Sequence, residues 1–281
     1  MKRTTKIISA ILLTTTLLSG CGIRFGIESR RNNNFNDSIS EDLPNQDFVS
    51  KNFDKKDGEE VNIRESMEGI NNLQIEAAVS NIAIIYHEGK EVEVTGVLVK
   101  HSRGIEIGRA SDQLKIEEKA NKTNKVNSDS ASNLIIKIPN SYSENLELTL
   151  GVGECNMEGL IVDSMDVKAG LGKLSIENVS FNKLNLESGL GDVNINTKQK
   201  TGEMHIEGGV GEINISLGDI NGDLKYEGGM GNANIIIPED SPVKINTSSG
   251  LGSANVSAKT SGENKYTFDI SMGIGELNIT N

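Results

Sequence analysis

The sequence predicts an all-β fold: a single-chain β-solenoid of about seven repeats, with an N-terminal β-strand section ahead of them. Three observations carry this. A Gly–apolar–Gly triplet recurs seven times, its starts 19, 19, 20, 20, 21 and 23 residues apart. Alternating apolar residues, the period of a strand, flank the triplets. Helical periodicity is absent, and an internal repeat of this length is the signature of stacked coils.

Taken in order, the first 20 residues read as a lipoprotein signal peptide. Lys2, Arg3 and Lys6 precede an apolar stretch from Ile7 to Leu18. That stretch is shorter than the about 20 residues a spanning helix needs. Leu18-Ser19-Gly20-Cys21 resembles the lipobox of bacterial lipoproteins. The resemblance implies cleavage before Cys21 and diacylglyceryl transfer to its thiol, with acyl chains of the palmitate type. Two chains hold a protein on a bilayer stably where one does so marginally. The expected location is therefore the extracytoplasmic face of the cell membrane, anchored through lipid on Cys21. Residues 21–69 are polar, rich in Asn and Asp and without apolar period, which predicts a flexible tether.

Residues 70–139 form the N-terminal β section. Leu73, Ile75 and Ala77 alternate with polar residues, Asn81 to Tyr86 is denser, and Val92, Val94, Val97 and Val99 alternate again. Glu88-Gly89 between the last two runs predicts a hairpin turn. Ile105 with Ile107, and Leu114 with Ile116, mark two short strands. Residues 119–132 read as an exposed loop, and Leu134 to Ile138 as a strand that stops at Pro139.

Residues 140–281 carry the repeats. The triplet glycines are Gly151 and Gly153, Gly170 and Gly172, Gly189 and Gly191, Gly209 and Gly211, Gly229 and Gly231, Gly250 and Gly252, Gly273 and Gly275. Paired apolar residues lead into each triplet: Leu146 and Leu148, Met165 and Val167, Leu184 and Leu186, Met204 and Ile206, Leu224 and Tyr226, Phe268 and Ile270. The sixth repeat reads as slipped by two residues, with Val243 and Ile245. After most triplets comes polar–apolar–Asn–apolar, as in Glu212-Ile213-Asn214-Ile215. Each unit is thus strand, glycine corner, strand and return turn. One unit holds only about four inward apolar side chains, so stacking supplies the core. Glycine suits the corners because it tolerates close coil-to-coil approach.

The opening Leu73-Gln74-Ile75-Glu76 and Ser80-Asn81-Ile82-Ala83-Ile84, the lead-in Leu134-Ile135-Ile136-Lys137-Ile138-Pro139 and the Gly-rich repeats together resemble the DUF4097 family, over roughly residues 69–281. This is a group of bacterial β-strand-repeat proteins labelled "putative adhesin". The resemblance implies a β-solenoid on the cell exterior, with no catalytic residues to transfer.

Charge and motifs exclude several functions. The formal net charge is −12, and removing the three signal-peptide cations takes it to −15. Such an acidic chain argues against nucleic acid as a partner and against lying flat on anionic lipid. The triplets lack the third glycine and following helix of a dinucleotide loop. Gly208-Gly209-Val210-Gly211-Glu212 lacks the Asp and nine-residue period of calcium-binding repeats. His87, His101 and His205 show no metal-ligand spacing. The acidic residues are scattered rather than clustered as a hydrolase would need. The chain therefore reads as no enzyme, with no metal and no cofactor.

Cys155 occupies a position otherwise held by Leu, Val, Ile or Ala and reads as a small buried hydrophobe. An Asn column comprises Asn156, Asn194, Asn214, Asn234, Asn255 and Asn278, with Ser175 in the second coil. Alternation points it outward. It reads either as a hydrogen-bonded ladder or as a polar binding stripe for a ligand such as glycan. The neighbouring column of Glu154, Lys173, Asp192, Glu212, Asn232, Ser253 and Glu276 reads as a solvated face.

The expected function is a non-catalytic cell-surface lipoprotein that presents a rigid β-solenoid surface to an unidentified protein or glycan, adhesin-like or bound to wall or envelope. The alternative is an envelope-stress or signalling accessory protein that contacts a membrane sensor or transporter. The last apolar strand ends at Ile279, so the C-terminal coil is expected to leave a pairing edge for a second copy or a partner strand.

Overall fold

The computed structural model describes residues 58–99, 102–120 and 131–281. The expected signal peptide over 1–20, Cys21, the expected tether as far as residue 57, His101 and the expected loop over 121–130 lie outside the described residues. Within them there are fourteen strands: β1 (Glu59–Ser66), β2 (Asn72–His87), β3 (Glu91–Leu98), β4 (Ser102–Ala110), β5 (Gln113–Ala120), β6 (Ser132–Pro139), β7 (Asn145–Glu158), β8 (Ile161–Glu177), β9 (Ser180–Val210), β10 (Ile213–Ile220), β11 (Leu224–Met230), β12 (Ala233–Ile236), β13 (Val243–Val256) and β14 (Tyr266–Thr280).

From β2 and β5 onward, β3 and β4 apart, the strands stack in parallel as the coils of a β-solenoid, and each of the seven repeats is bent at its glycine triplet into two walls. In the wall before the corner, Leu114, Leu73, Leu146, Met165 and Leu184 lie in register on successive strands. Met204, Leu224 and Phe268 continue that row. In the wall after the corner, Ile82, Cys155, Leu174, Val193, Ile213, Ala233 and Leu277 make the matching row. All of these side chains are buried and belong to one continuous core. No single coil could bury its four inward residues, whereas stacked coils cover one another.

The corner depends on its second glycine. At Gly153, Gly172, Gly191, Gly211, Gly231, Gly252 and Gly275 φ lies between 135° and 149°, a region L side chains rarely adopt. A Cβ at Gly191 would also lie inside contact distance of the Gly172 carbonyl oxygen, and the other second glycines meet the neighbouring coil in the same way. Both strain and collision forbid a side chain there.

Five expectations need correction. The stretch expected as tether does not reach residue 69. Glu59–Ser66 is a strand, paired antiparallel with β3, because Val61 and Ile63 alternate and pack against the core. Arg109 ties its end down by donating to the Ser66 carbonyl at 2.7 Å and to that of Glu68. The turn at Glu88-Gly89 reverses the chain without making a hairpin. β3 pairs antiparallel with β6, and β6 lies between β3 and β2. The loop is narrower than residues 119–132, since Lys119 lies in β5 and Ser132 begins β6 fully buried.

The sixth repeat is not slipped. Its triplet matches that of the seventh, with Leu251 opposite Ile274, and Thr247 stands opposite Ile270. A polar residue replaces an inward apolar one at an unchanged position. Finally, the C-terminal coil is not the edge. β14 inserts between β11 and β12 on one side and β13 on the other, so the sixth repeat ends the stack. Phe268, Ile270, Leu277 and Ile279 are large and need coils on both sides, whereas the sixth repeat offers Thr247 and Ala254 opposite Ile270 and Leu277. Asn281 clips the inserted strand in place, its Nδ2 directed at the carbonyls of Ile237, Pro238 and Lys259 at 3.2 to 3.3 Å.

Two measurements test this packing. Gly191→Ala is expected to lower stability by at least about 3 kcal/mol, since strained backbone and collision add. Gly108→Ala, where a Cβ would meet nothing, is expected to stay within about 0.5 kcal/mol in the same thermal melts. The second test is alkaline. Burial pushes the Cys155 thiol and the Tyr226 phenol up to about 12, from ordinary values of 9.0 and 10.0, and raises Tyr142 and Tyr86 as well. Above the ordinary values the folded chain holds protons that the unfolded chain has lost, so stability falls as pH rises. The melting midpoint should therefore hold up to the ordinary thiol value of 9.0 and decline towards about 12. Cys155→Val should reduce the slope.

Candidate functional site

The middle residue of six of the seven triplets stands in solvent. Counting by twos from Leu184 and Leu186 would place Leu190 inside, yet it is 51% exposed. The chain bends around the two glycines, and the residue between them lands on the outside of the bend. Leu171, Val210, Met230, Ile274 and Leu251 are likewise exposed, and Val152 and Val79 are half-buried at the same position. Strand register sets them side by side: Val79 beside Val152, Val152 beside Leu171, Leu171 beside Leu190, Val210 beside Met230, Met230 beside Ile274 and Ile274 beside Leu251. Gly211 lies against the Gly191 carbonyl and so joins the two halves of the row. At a strand spacing of about 4.8 Å, eight such side chains form an apolar ridge roughly 34 Å long.

Polar columns flank the ridge. On the side after the corner, Asp192 Oδ1 accepts the backbone N–H of Glu212 at 3.1 Å, and Asn232 Oδ1 accepts that of Glu276 at 3.3 Å. Asn81 does the same for Glu154 at 3.2 Å. These side chains reach the next coil's N–H beside the bend. On the other side stand Glu187, Glu207 and Glu227, with Lys168 3.4 Å from Glu187 and Lys225 2.7 Å from Glu227. Solvent screens such exposed pairs, which therefore stabilise the flank little and leave it nearly balanced in charge.

The Asn column is half-buried along its middle and bonds to itself. Asn214 Nδ2 donates to Asn194 Oδ1 at 3.1 Å, Asn234 to Asn214 at 2.9 Å, and Asn278 to Asn234 at 3.3 Å. Asn156 is buried and its Oδ1 makes no hydrogen bond. Ser175, which separates it from Asn194, donates to Glu177 instead. Asn255, on the end strand, is exposed.

Sequence reasoning assigned no role to Glu118. Its carboxylate is buried and accepts from Ser80 Oγ at 2.5 Å, Ser132 Oγ at 2.6 Å and the Val79 N–H at 3.4 Å. β5 and β6 make one coil between them, interrupted where other coils have a glycine corner. Glu118 binds the two halves of that coil to the corner of β2. Nothing in its local sequence announces this, because Ser80 and Ser132 lie on other strands and meet it only when the coils stack. The ridge did leave a signal, an apolar residue in the middle of all seven triplets, although alternation would have placed it inside.

His87 Nε2 lies 2.8 Å from the Glu91 carbonyl and His205 3.6 Å from Glu207, on separate parts of the stack. Among the described residues, no group of three or more His, Cys, Asp or Glu is placed to hold a metal ion, and no helix is long and apolar enough to cross a membrane.

A family model described as Toastrack DUF4097 matches residues 70–279. A solved structure from Bacteroides fragilis NCTC 9343, described as a "putative adhesin", aligns over 79% of this chain and 97% of its own, with 15% identity and a TM-score of 0.50. That likeness bears on the fold. A structure described as a "putative cell adhesion protein", from Clostridium sporogenes ATCC 15579, aligns over 79% and 99% with 16% identity and a TM-score of 0.35. No curated protein matches the chain.

The ladder makes a testable claim of its own. Asn214→Asp removes the donor to Asn194 and sets a carboxylate against its oxygen, and is expected to cost about 1–2 kcal/mol in thermal or denaturant melts. Asn255→Asp should stay within about 0.5 kcal/mol.

Proposed function

The chain belongs to the Toastrack DUF4097 family, and on that premise we propose that it is a non-catalytic surface-binding module that works through the apolar ridge at its glycine corners. One observation carries this reading. Among the described residues most large aliphatic side chains are buried, yet eight apolar ones stand in register along the corners, seven of them between triplet glycines and six of them exposed. Contiguous exposed apolar strips of this kind mark interaction sites. The Asn ladder spends its amides on its own neighbours, which favours the ridge as the contact surface.

The ridge is aliphatic throughout, and the chain contains no Trp. It suits the apolar side chains of a protein better than the faces of a sugar. The flank after the corner sets Glu154, Asp192, Glu212 and Glu276 against Lys173 alone, so the favoured partner places cationic groups on that side of the apolar row. In this reading the lipid on Cys21 holds the module at the extracytoplasmic face of the cell membrane. The residues ahead of β1 then act as a leash, and the role is adhesin-like, as the description of the Bacteroides neighbour supports.

The test is photo-crosslinking in cells with the probe at Leu190 and, as a control, at exposed Lys183. A discrete protein is expected at Leu190 only, and Val210→Lys should abolish its capture while leaving the melting midpoint unchanged. Equal capture at both positions, or capture indifferent to Val210→Lys, would overturn the ridge as the site. Labelled palmitate should enter the wild-type chain and not Cys21→Ala. Capture that survives Cys21→Ala indicates an adhesin-like role. Capture lost with the anchor indicates a membrane-embedded partner, as an accessory signalling role requires.

A further inference from the structure

We infer that two copies of this chain join end to end by antiparallel pairing of their β13 strands. Among the described residues three strands pair on one side only: β1, β4 and β13. Natural sheets guard such edges with charge, proline or bulges. β1 carries Glu59, Glu60, Arg64 and Glu65, and β4 carries Arg103, Glu106 and Arg109. β13 is the longest of the three and carries only Lys244, with no proline. It is an unguarded edge on a chain that guards its others.

Charge selects the occupant. The chain is strongly acidic, and most of its faces would repel a second copy. The end coil carries no such excess. Across residues 239–265, Lys244, Lys259 and Lys265 balance Glu239, Asp240 and Glu263. Two copies can meet there without repulsion. The end coil is also open towards its inner row, with Thr247, Ala254 and Val256 exposed. A lone peptide strand would pair the edge and leave that row in water, whereas a second solenoid brings an identical open end.

The side-chain pattern is self-complementary. Opposed residues of an antiparallel pair point to one face. A two-fold axis between Gly250 and Leu251 sets Thr247 opposite Ala254 of the second copy and Ile245 opposite Val256. Inward residues then meet inward residues on both walls. The outward pairs are Ser248 with Ser253 and Asn246 with Asn255, all short and uncharged. Leu251, 71% exposed at the end of the ridge, then lies next to its counterpart, and the two ridges run on as one.

The experiment uses the full chain in detergent. Sedimentation velocity is expected to show a concentration-dependent dimer. Ser248→Lys with Ser253→Lys, which sets ammonium groups opposite each other, should weaken it by roughly tenfold or more. Both positions are exposed, and an unchanged melting midpoint would confirm that the variant folds. Register is read by mixing differently tagged Thr247→Cys and Ala254→Cys chains under mild oxidation. A covalent dimer bearing both tags is expected, with little from Thr247→Cys and Asn255→Cys. Monomer alone up to the highest soluble concentration, a dimer indifferent to the lysines, or equal trapping at Asn255 would each overturn the proposal.

Discussion

Glycine against carbonyl is the contact on which this molecule depends. At each corner the backbone of one coil rests directly on the backbone of the next, with no side chain between them. That approach brings both walls of adjacent coils within hydrogen-bonding distance and fixes the register on both sides of the bend. The inward rows can then line up over the length of the stack. Variation in repeat length is pushed to the return turns, where the ladder tolerates it. Between β9 and β10, for example, the pairing shifts at Leu217 and Asp219 without disturbing the next corner. A corner held so closely also has no room inside for its middle residue, and the apolar ridge is the consequence.

The two ends meet the problem of an unfinished core differently. At the N-terminal end the parallel stack gives way to antiparallel strands, β1 on β3 and β4 on β5, with charged edges. At the other end the last strand tucks inward, and the coil with the smallest inner residues is left outermost. A coil with neighbours on both sides can bury Phe268 and Leu277. A terminal coil covered on one side cannot, so Thr247 and Ala254 belong there.

Polar groups divide between those that hold the stack and those that face outward. The Asn ladder and the Glu118 carboxylate satisfy neighbouring coils. The Asp192 and Asn232 side chains supply acceptors to backbone N–H groups beside the bend. These interactions rigidify the body without offering much to a ligand. What remains at the corner is an aliphatic row between polar columns, and it is the rigidity of the stack that holds eight separate side chains in one line.

The sequence alone determined the all-β class, the coil period, the positions of the corners and both inward rows, Cys155 included. Each of these follows from local alternation or from a residue type that only one backbone geometry allows. Tertiary structure decided the rest. That Glu59–Ser66 is a strand depends on β3 offering an edge, and that Glu118 is buried depends on Ser80 and Ser132 converging on it from two other strands. The order of the last two coils is set by which inner side chains can bear exposure, a comparison between repeats that neither repeat contains. The ridge, too, needed the fold. Alternation along the chain sends Leu190 inward, and only the bend at Gly191, imposed by contact with the preceding coil, turns it out.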